Sequence, residues 1–392
     1  MEENTLFFLR WNSEIFRNGD VYYPFRQHSD MLMLTGVSSP DIVLVWVKAS
    51  KNQEHGLLRA SQWRDEVEWI IYSDPISDHE KLWGSGRLDY EQMRKISCID
   101  DIRPIEVLKK DIKKYTQEAK NIYTRESRGF PKEKILSPEI LLKSLRMSKL
   151  PEEIEKIREA IRVTKIAHDH IRTIMKPWMY EYEVEAEIAR IFRAHHLTEA
   201  YPSIVASGPN ACTLHYTRHD RRIEVWDLVL VDAGAEYAGY AADITRVFPV
   251  LDSPLRKGVR GICSSGFSLR QKEVYDSVVV VKKYAESLMQ PWVKKIEYKK
   301  MVRELMNVEL EKLWLIPKNT SWKELEVLSR KYYPHSTSHF LGLDVHDTGE
   351  RDEVFGAGMV ITCEPGIYIP EEHIGIRLED DILITKNGWE NL

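Results

Sequence analysis

The chain has no run approaching the roughly 18 apolar residues that a membrane-crossing helix requires, which argues against a membrane span. Its first residues, Met1-Glu2-Glu3-Asn4, are acidic and lead into no apolar signal-peptide core, so secretion is not expected. Cysteine is scarce. Cys98, Cys212, Cys263 and Cys363 lie far apart with no CxxC pair. That spacing builds neither a disulfide framework nor a zinc ribbon, and a soluble, reducing, cytoplasmic setting is expected. A positive excess is also missing. Lys and Arg number 56 against 61 Asp and Glu, a net charge of −5, whereas a dedicated nucleic-acid binder carries a basic face. There is no low-complexity tract and no P-loop. Gly84-Ser85-Gly86 lacks the third glycine of a dinucleotide fingerprint, so nucleotide use has no support.

What is present is a long chain with a large core. At roughly 150 residues per domain, 392 residues imply two or three domains. Apolar residues make up 43% and charged residues 30%, enough to cover a sizeable interior with a solvated surface. The first ~120 residues mix short strands with turns. Asp41 to Val47 reads as a buried strand, and Trp69-Ile70-Ile71-Tyr72 as a second. A charged stretch over 108–135 predicts an exposed helix, broken at Gly129-Phe130-Pro131. The boundary is placed near residue 140, giving domains 1–139 and 140–392. Pro151 fits a first helical position. Ile154, Ile157, Ile161, Thr164, His168 and Ile171 then recur at helical spacing, ending at Lys176-Pro177-Trp178. A second helix is predicted over Glu181 to Ala194. Strands follow at Ile204-Val205, Leu228 to Val231 and Val247-Phe248, helices over 272–316 and 322–331, and strands from 339 onward. The second domain therefore reads as α+β.

The chemistry concentrates there. Asp232 and Asp243 lie 11 residues apart, with the midpoint beside Gly239. If 228–237 and 240–248 form a hairpin, the two aspartates meet across it. Like charges facing each other on strands repel, so an apolar-flanked pair implies a cation between them. Glu364 and Glu379 repeat the device around the loop Glu371-Glu372-His373. One buried carboxylate is ordinarily a structural ion-pair partner, but four of them in two hairpins of like layout point to a site. The matching layouts also hint at an internal duplication. Three histidines, His335, His339 and His346, fall within 11 residues. His335 and His339 are not a zincin pair, because Ser336 stands where that motif needs Glu. Two Asp, two Glu and one His suit hard divalent ions, manganese first, with cobalt, zinc or iron as substitutes. Four carboxylates can neutralise two such ions, ~3.5–4 Å apart, which together activate one water and polarise a carbonyl. The implied reaction is hydrolysis of an amide or ester.

These residues bring a family into view. Val231-Asp232-Ala233-Gly234-Ala235-Glu236-Tyr237, Ala242-Asp243-Ile244-Thr245-Arg246, Ser338 to Asp347, Cys363-Glu364-Pro365-Gly366 and Arg377-Leu378-Glu379-Asp380-Asp381 resemble the M24 "pita-bread" metallopeptidases. Tyr23-Pro24-Phe25-Arg26-Gln27, Ser29-Asp30 and Leu34-Thr35-Gly36 resemble the smaller α/β N-terminal domain of aminopeptidase P. Ser203 to Gly208 and Leu214-His215-Tyr216-Thr217 match as well. The resemblance implies a pita-bread (creatinase/aminopeptidase) catalytic domain acting as an Xaa-Pro aminopeptidase. Such an enzyme releases the N-terminal residue from peptides with proline second, through a hydroxide bridging two metals, usually manganese. It implies that Asp232, Asp243, His339, Glu364 and Glu379 hold the metals, with Glu364 also the general base. It implies that His215, His335 and His346 contact substrate and stabilise the tetrahedral intermediate, and that Arg377 supports the carboxylates. It also implies peptide partners, no nucleic acid or membrane, and a homodimer or higher homo-oligomer. Trp83 resembles an aromatic that reaches a neighbouring subunit, or is a core residue.

Some residues depart from the family pattern. Trp178 and Ser336 stand where the family usually has glycine, and a Trp at 178 is strained if that turn needs φ > 0. Residues 251–266 are roughly a dozen longer than the family's connection and are expected in an exposed loop. Prolidase, cutting Xaa-Pro dipeptides, is the nearest rival reading. A non-catalytic peptide-binding member of the fold is a second, disfavoured because no ligand position is lost.

Overall fold

The computed structural model describes residues 4–48, 67–83, 86–251, 266–350 and 353–392. The long loop expected at 251–266 falls almost wholly outside them, as do Gly84, Ser85 and Cys263. The chain divides into two compact units, Met1–Ser144 and Leu145–Leu392.

The first unit is built on one sheet. Strands Thr5–Arg10, Val43–Lys48 and Glu68–Tyr72 run antiparallel, and Asp101–Arg103, Asn121–Tyr123 and Ile135–Leu136 extend it in parallel pairings. The side-chain period of two sends Phe7 and Leu9 into one apolar layer and Leu6 and Phe8 into the other. Both faces are buried, which is why these strands read as continuous apolar runs. The charged stretch at 108–135 is a helix only over Ile105–Glu118. The strand Asn121–Tyr123 replaces the remainder well before the Gly129 break, because Ile122 is fully buried against Leu6. Trp83 is not a core aromatic: it is 67% exposed at the end of helix Asp78–Trp83.

The second unit opens with helices Pro151–Ile174 and Glu181–Ala194. Strands Ile204–Ser207, Leu228–Ala233 and Ile244–Pro249 follow. Leu228 and Leu230 face a core shared with helices Leu269–Leu288 and Lys295–Lys312, whereas Val229, Val231 and Ala233 face the first two helices. Helix Trp322–Tyr332 precedes an irregular stretch, and regular strands resume only at Val360, later than the expected 339. In between, among the described residues, lie only isolated bridges, Phe340 to Ile361 and Val354 to Lys294.

Neither carboxylate hairpin is continuous. Leu228–Ala233 pairs with Ile244–Pro249, placing Asp232 opposite Thr245 rather than Asp243. Ala235–Tyr237 then pairs with Tyr240–Ala241 as a separate tier closed by Ala238 and Gly239. The break lies at Gly234, where a Cβ would stand 1.8 Å from the Ala242 carbonyl oxygen, so only glycine lets the two tiers approach this closely. The second hairpin repeats the plan. Val360–Cys363 pairs with Asp380–Ile384, and Gly366–Ile369 with Ile374–Arg377. Glu364 and Glu379 sit in the break between these tiers.

The repetition extends to the helix-ending turns. The Trp178 N–H donates to Ile223 O and the Ile223 N–H to Met179 O, both at 2.8 Å. The Trp292 N–H donates to Phe355 O at 2.8 Å and the Phe355 N–H to Val293 O at 2.9 Å. The same turn is thus built twice, as an internal duplication requires. Both tryptophans are left-handed, Trp178 at φ 77° and Trp292 at 76°, and so are Trp226 at 77° and Trp314 at 61°. The strain anticipated at Trp178 is present, because Cβ crowds the backbone there and bulky residues avoid this region. Trp292 is 83% exposed and has little packing to lose. Trp292→Gly is expected to stabilise the fold by about 1 kcal/mol, read as a higher midpoint in chemical denaturation; an unchanged or lower midpoint contradicts the strain.

His168, buried in the first long helix, stacks near Phe248 with ring centroids 6.4 Å apart. Burial, with Arg246 nearby, pushes its pKa down from 6.5 to about 4. The unfolded chain then takes up a proton between those values and the folded chain does not. Stability is therefore expected to fall as pH drops from about 6.5 to about 4, by as much as ~3 kcal/mol from this group. Denaturant titrations of wild type and His168→Phe across that range check it, the variant showing the shallower pH dependence.

Candidate metal centre and active site

Asp232 shares its strand face with Leu230 by the two-residue period, and Asp243 lies in the break itself, immediately before the returning strand Ile244–Pro249. The carboxylates of both are buried, at 7% and 5% exposure. Tyr201 Oη lies 2.6 Å from Asp232 Oδ1 and 2.6 Å from Asp243 Oδ1. A phenol has one proton to donate, so one of these contacts is oxygen against oxygen. His339 donates its Nδ1 proton to Phe340 O at 3.1 Å, leaving Nε2 to face Asp243 Oδ2 at 3.4 Å and Glu364 Oε1 at 3.8 Å. Donor atoms of Asp243, His339 and Glu379 lie within 4.8 Å of one another and could hold a metal ion. Glu379 Oε2 accepts from Thr245 Oγ1 at 2.6 Å, while its buried Oε1 has no hydrogen-bond partner. Of the five residues proposed from sequence as ligands, Asp243, His339 and Glu379 thus come within mutual reach, Glu364 adjoins His339, and Asp232 joins Asp243 through Tyr201.

The electrostatics call for a cation. Against Asp232, Asp243, Glu364 and Glu379 stands Arg377, whose Nη2 donates to Asp232 Oδ2 at 2.5 Å, while Arg246 reaches, of these four, only the Glu379 main-chain carbonyl. Burial pushes Glu364 up to about 7, opposed by His339 and Arg377 but reinforced by Asp243 and Asp232. Burial also lifts Glu379 well above the carboxylate range, with Asp243, Glu364 and Asp232 adding to it. Burial works against a charged His339, but Asp243 and Glu364 more than offset it and raise the ring to about 9. A buried acidic cavity of this kind is stable when a multivalent cation replaces the missing positive charge. The donor set fits such a group, since its oxygens and one imidazole suit hard or borderline divalent ions.

The other histidines ring this centre. His335 Nδ1 lies 2.8 Å from Ser336 O and 3.5 Å from Glu364 Oε2. Its Nε2 lies 2.8 Å from Tyr368 Oη, which in turn accepts from Arg377 Nη1 at 2.8 Å. Burial, then Arg377, pushes His335 down to about 3, so it is a neutral ring. Ser336 keeps an ordinary φ, and replacing glycine there leaves the His335 backbone intact. His346 packs against His339, the ring centroids 4.1 Å apart and the planes tilted by 40°. Its loop is drawn in by Asp347, which accepts from Arg146 Nη2 at 2.5 Å and crowds Gly342, where a Cβ would meet Asp347 Oδ2 at 2.1 Å. His215 is exposed and close enough to His335 and His346 to lower both. Its loop is anchored by buried Glu181, which accepts from Ser207 N and Oγ, both at 2.7 Å, and from Tyr216 Oη at 2.7 Å.

Sequence reasoning missed Tyr201, Tyr368, Asp381 and Glu181. Tyr368 carried a signal, since Glu364, Gly366 and Tyr368 share a parity beyond Cys363. Asp381, whose Oδ2 accepts from Asp243 N at 3.0 Å, stood within a quoted motif. Tyr201 and Glu181 act across long sequence separations and have no local pattern.

The model of metallopeptidase family M24 matches residues 155–386, and that of the aminopeptidase P N-terminal domain matches residues 1–123. The chain belongs to metallopeptidase family M24, with the α+β pita-bread fold expected from its motifs. Among curated relatives, the Xaa-Pro aminopeptidase of Escherichia coli (strain K12) is 33% identical, over 97% of this chain and 88% of that protein. The Xaa-Pro aminopeptidase of Haemophilus influenzae is also 33% identical, over 99% and 90%. The solved structure of proline aminopeptidase P II from Yersinia pestis matches with a TM-score of 0.85 at 29% identity, covering 100% of this chain and 92% of that one.

Tyr368→Phe removes the link between Arg377 and His335 without opening a cavity. It is expected to lower kcat/KM about 10- to 100-fold while the thermal midpoint stays nearly unchanged; steady-state kinetics with a melting curve check both halves.

Proposed function

We propose that this metallopeptidase is an Xaa-Pro aminopeptidase, releasing the first residue of peptides whose second residue is proline. The observation that carries the reading is the gathering of Asp243, Glu364 and Glu379 about His339 Nε2, with Asp232 tied to Asp243 through Tyr201 and to Arg377. The relatives' names support the aminopeptidase over the prolidase and the non-catalytic readings. Asp232, Asp243, His339, Glu364 and Glu379 would hold two divalent ions, manganese by preference, with cobalt or zinc as substitutes. Bound there, such ions activate a water and polarise the scissile carbonyl. Glu364, in van der Waals reach of His335 and His339, takes the water's proton at its carboxylate and passes it to the leaving nitrogen. His346, and His215 on its anchored loop, donate towards the oxygen that gains charge, and neutral His335 orients the proline side. Arg377 and Tyr201 fix the carboxylates' orientation.

Residues 1–139 form the N-terminal domain in this reading and 140–392 the catalytic one. A homodimer or larger homo-oligomer is proposed, supported by the exposure of Trp83. No helix among the described residues is long and apolar enough to cross a membrane. A cytoplasmic site of action, without nucleic-acid or membrane partners, is proposed from the net charge and from the wide spacing of the four cysteines in the sequence.

Chelator treatment is expected to abolish cleavage of an Xaa-Pro-Pro tripeptide, and added manganese to restore it, with an Xaa-Pro dipeptide cut far more slowly. Preference for the dipeptide moves the assignment to prolidase. Failure to cut either with metal bound contradicts the enzymatic reading. Asp243→Asn is expected to cost at least ~10³-fold in kcat, together with a lowered metal content by elemental analysis.

A further inference from the structure

A cavity of about 500 Å³ opens beside the His335 loop, between helices Lys295–Lys312 and Trp322–Tyr332. That volume lies within the range of small-ligand sites. Four cations line it, Lys299, Lys300, Arg303 and Arg330, against a single acid, Glu326. Trp322 and Leu325 supply apolar surface, and the indole is 77% exposed. The wall nearest the acidic centre is His335-Ser336-Thr337. Thr337 O accepts from the Glu364 N–H at 2.9 Å, and the His335 ring reaches the Glu364 carboxylate, so wall and centre share one backbone. Arg303 stiffens this wall. Its guanidinium lies 4.2 Å above the Tyr333 ring and donates to Tyr333 O at 2.7 Å and His335 O at 3.2 Å. Two further rim charges are solvated and loosely paired: Lys300, 76% exposed, lies 4.0 Å from Glu304, and Arg330, 70% exposed, donates to Glu326 at 3.0 Å, surface pairs weak enough for a ligand carboxylate to compete with.

The acidic centre and this cationic cavity therefore place opposite charges on the two sides of His335. A peptide has the same polarity, a positive amino end and a negative carboxyl end. We propose that the cavity is a subsite for the carboxyl end of short peptide substrates, its cations taking the free carboxylate and Trp322 packing on the side chain before it. The inference rests on the aminopeptidase reading and narrows its substrate class to short peptides with a free or acidic C-terminus.

The test compares Ala-Pro-Ala with its C-terminal amide, using metal-loaded wild type and the double variant Lys300→Glu/Arg330→Ser. In wild type the acid is expected to show the lower KM. The variant is expected to raise KM for the acid roughly three- to tenfold, leaving kcat and the amide's constants unchanged. Independently, the dipeptide Pro-Ala, which has no proline in second position, is titrated against tryptophan fluorescence. Its acid form is expected to change the signal more than its amide form, and Trp322→Phe to remove the difference. Equal constants for acid and amide in both proteins, or a fluorescence response indifferent to the carboxylate, overturn the proposal. Selective fluorescence binding with no peptide cleaved sinks the aminopeptidase reading and leaves the cavity's carboxylate preference standing.

Discussion

The centre of the second unit is organised around repulsion among four carboxylates, three of them buried and the fourth, Glu364, nearly so. Packing places them together, and the surrounding bonds make sense as restraints on groups that would otherwise separate. Arg377 neutralises one of them. Thr245 holds an oxygen of Glu379, Tyr201 spans the two aspartates, and Asp381 grips the backbone of Asp243. Several of these restraints join residues more than 130 positions apart, so the two hairpins are tied to each other chiefly through the acidic site.

The histidines extend this arrangement outward. His339 is the interior member, its ring turned by the bond to Phe340 O. His335 is kept neutral by burial and by the arginine behind Tyr368, and one edge of it faces the acids while its backbone bounds the cationic cavity. One short stretch, 335 to 339, thus separates two regions of opposite charge.

Much of this was legible in the sequence because the acids and histidines of the site lie in motifs whose residues are close together. The strand Leu228–Ala233 was visible from its apolar run, and the acid pairs from the turn that falls at the midpoint of each. The breaks in both hairpins were not visible, because they depend on main-chain approach at Gly234 and on pairing register, neither of which has a composition signature. Treating each hairpin as continuous put Asp243 directly across from Asp232, whereas the register puts Thr245 there. The polar residues that fix the site were hidden for a different reason. Glu181 and Tyr201 look like ordinary helix and loop residues until the chain brings loops 20 to 40 residues away onto them.

The repeated turn and the paired hairpins carry a consequence for assembly. Each half of the duplicated unit contributes two acids, and neither half alone encloses a full set of donors. Bringing the halves together brings like charges together, which electrostatics opposes in pure water and a bound cation would favour. Ion binding and chain closure are then one thermodynamic event, and the protein's resistance to unfolding becomes a function of the metal concentration around it.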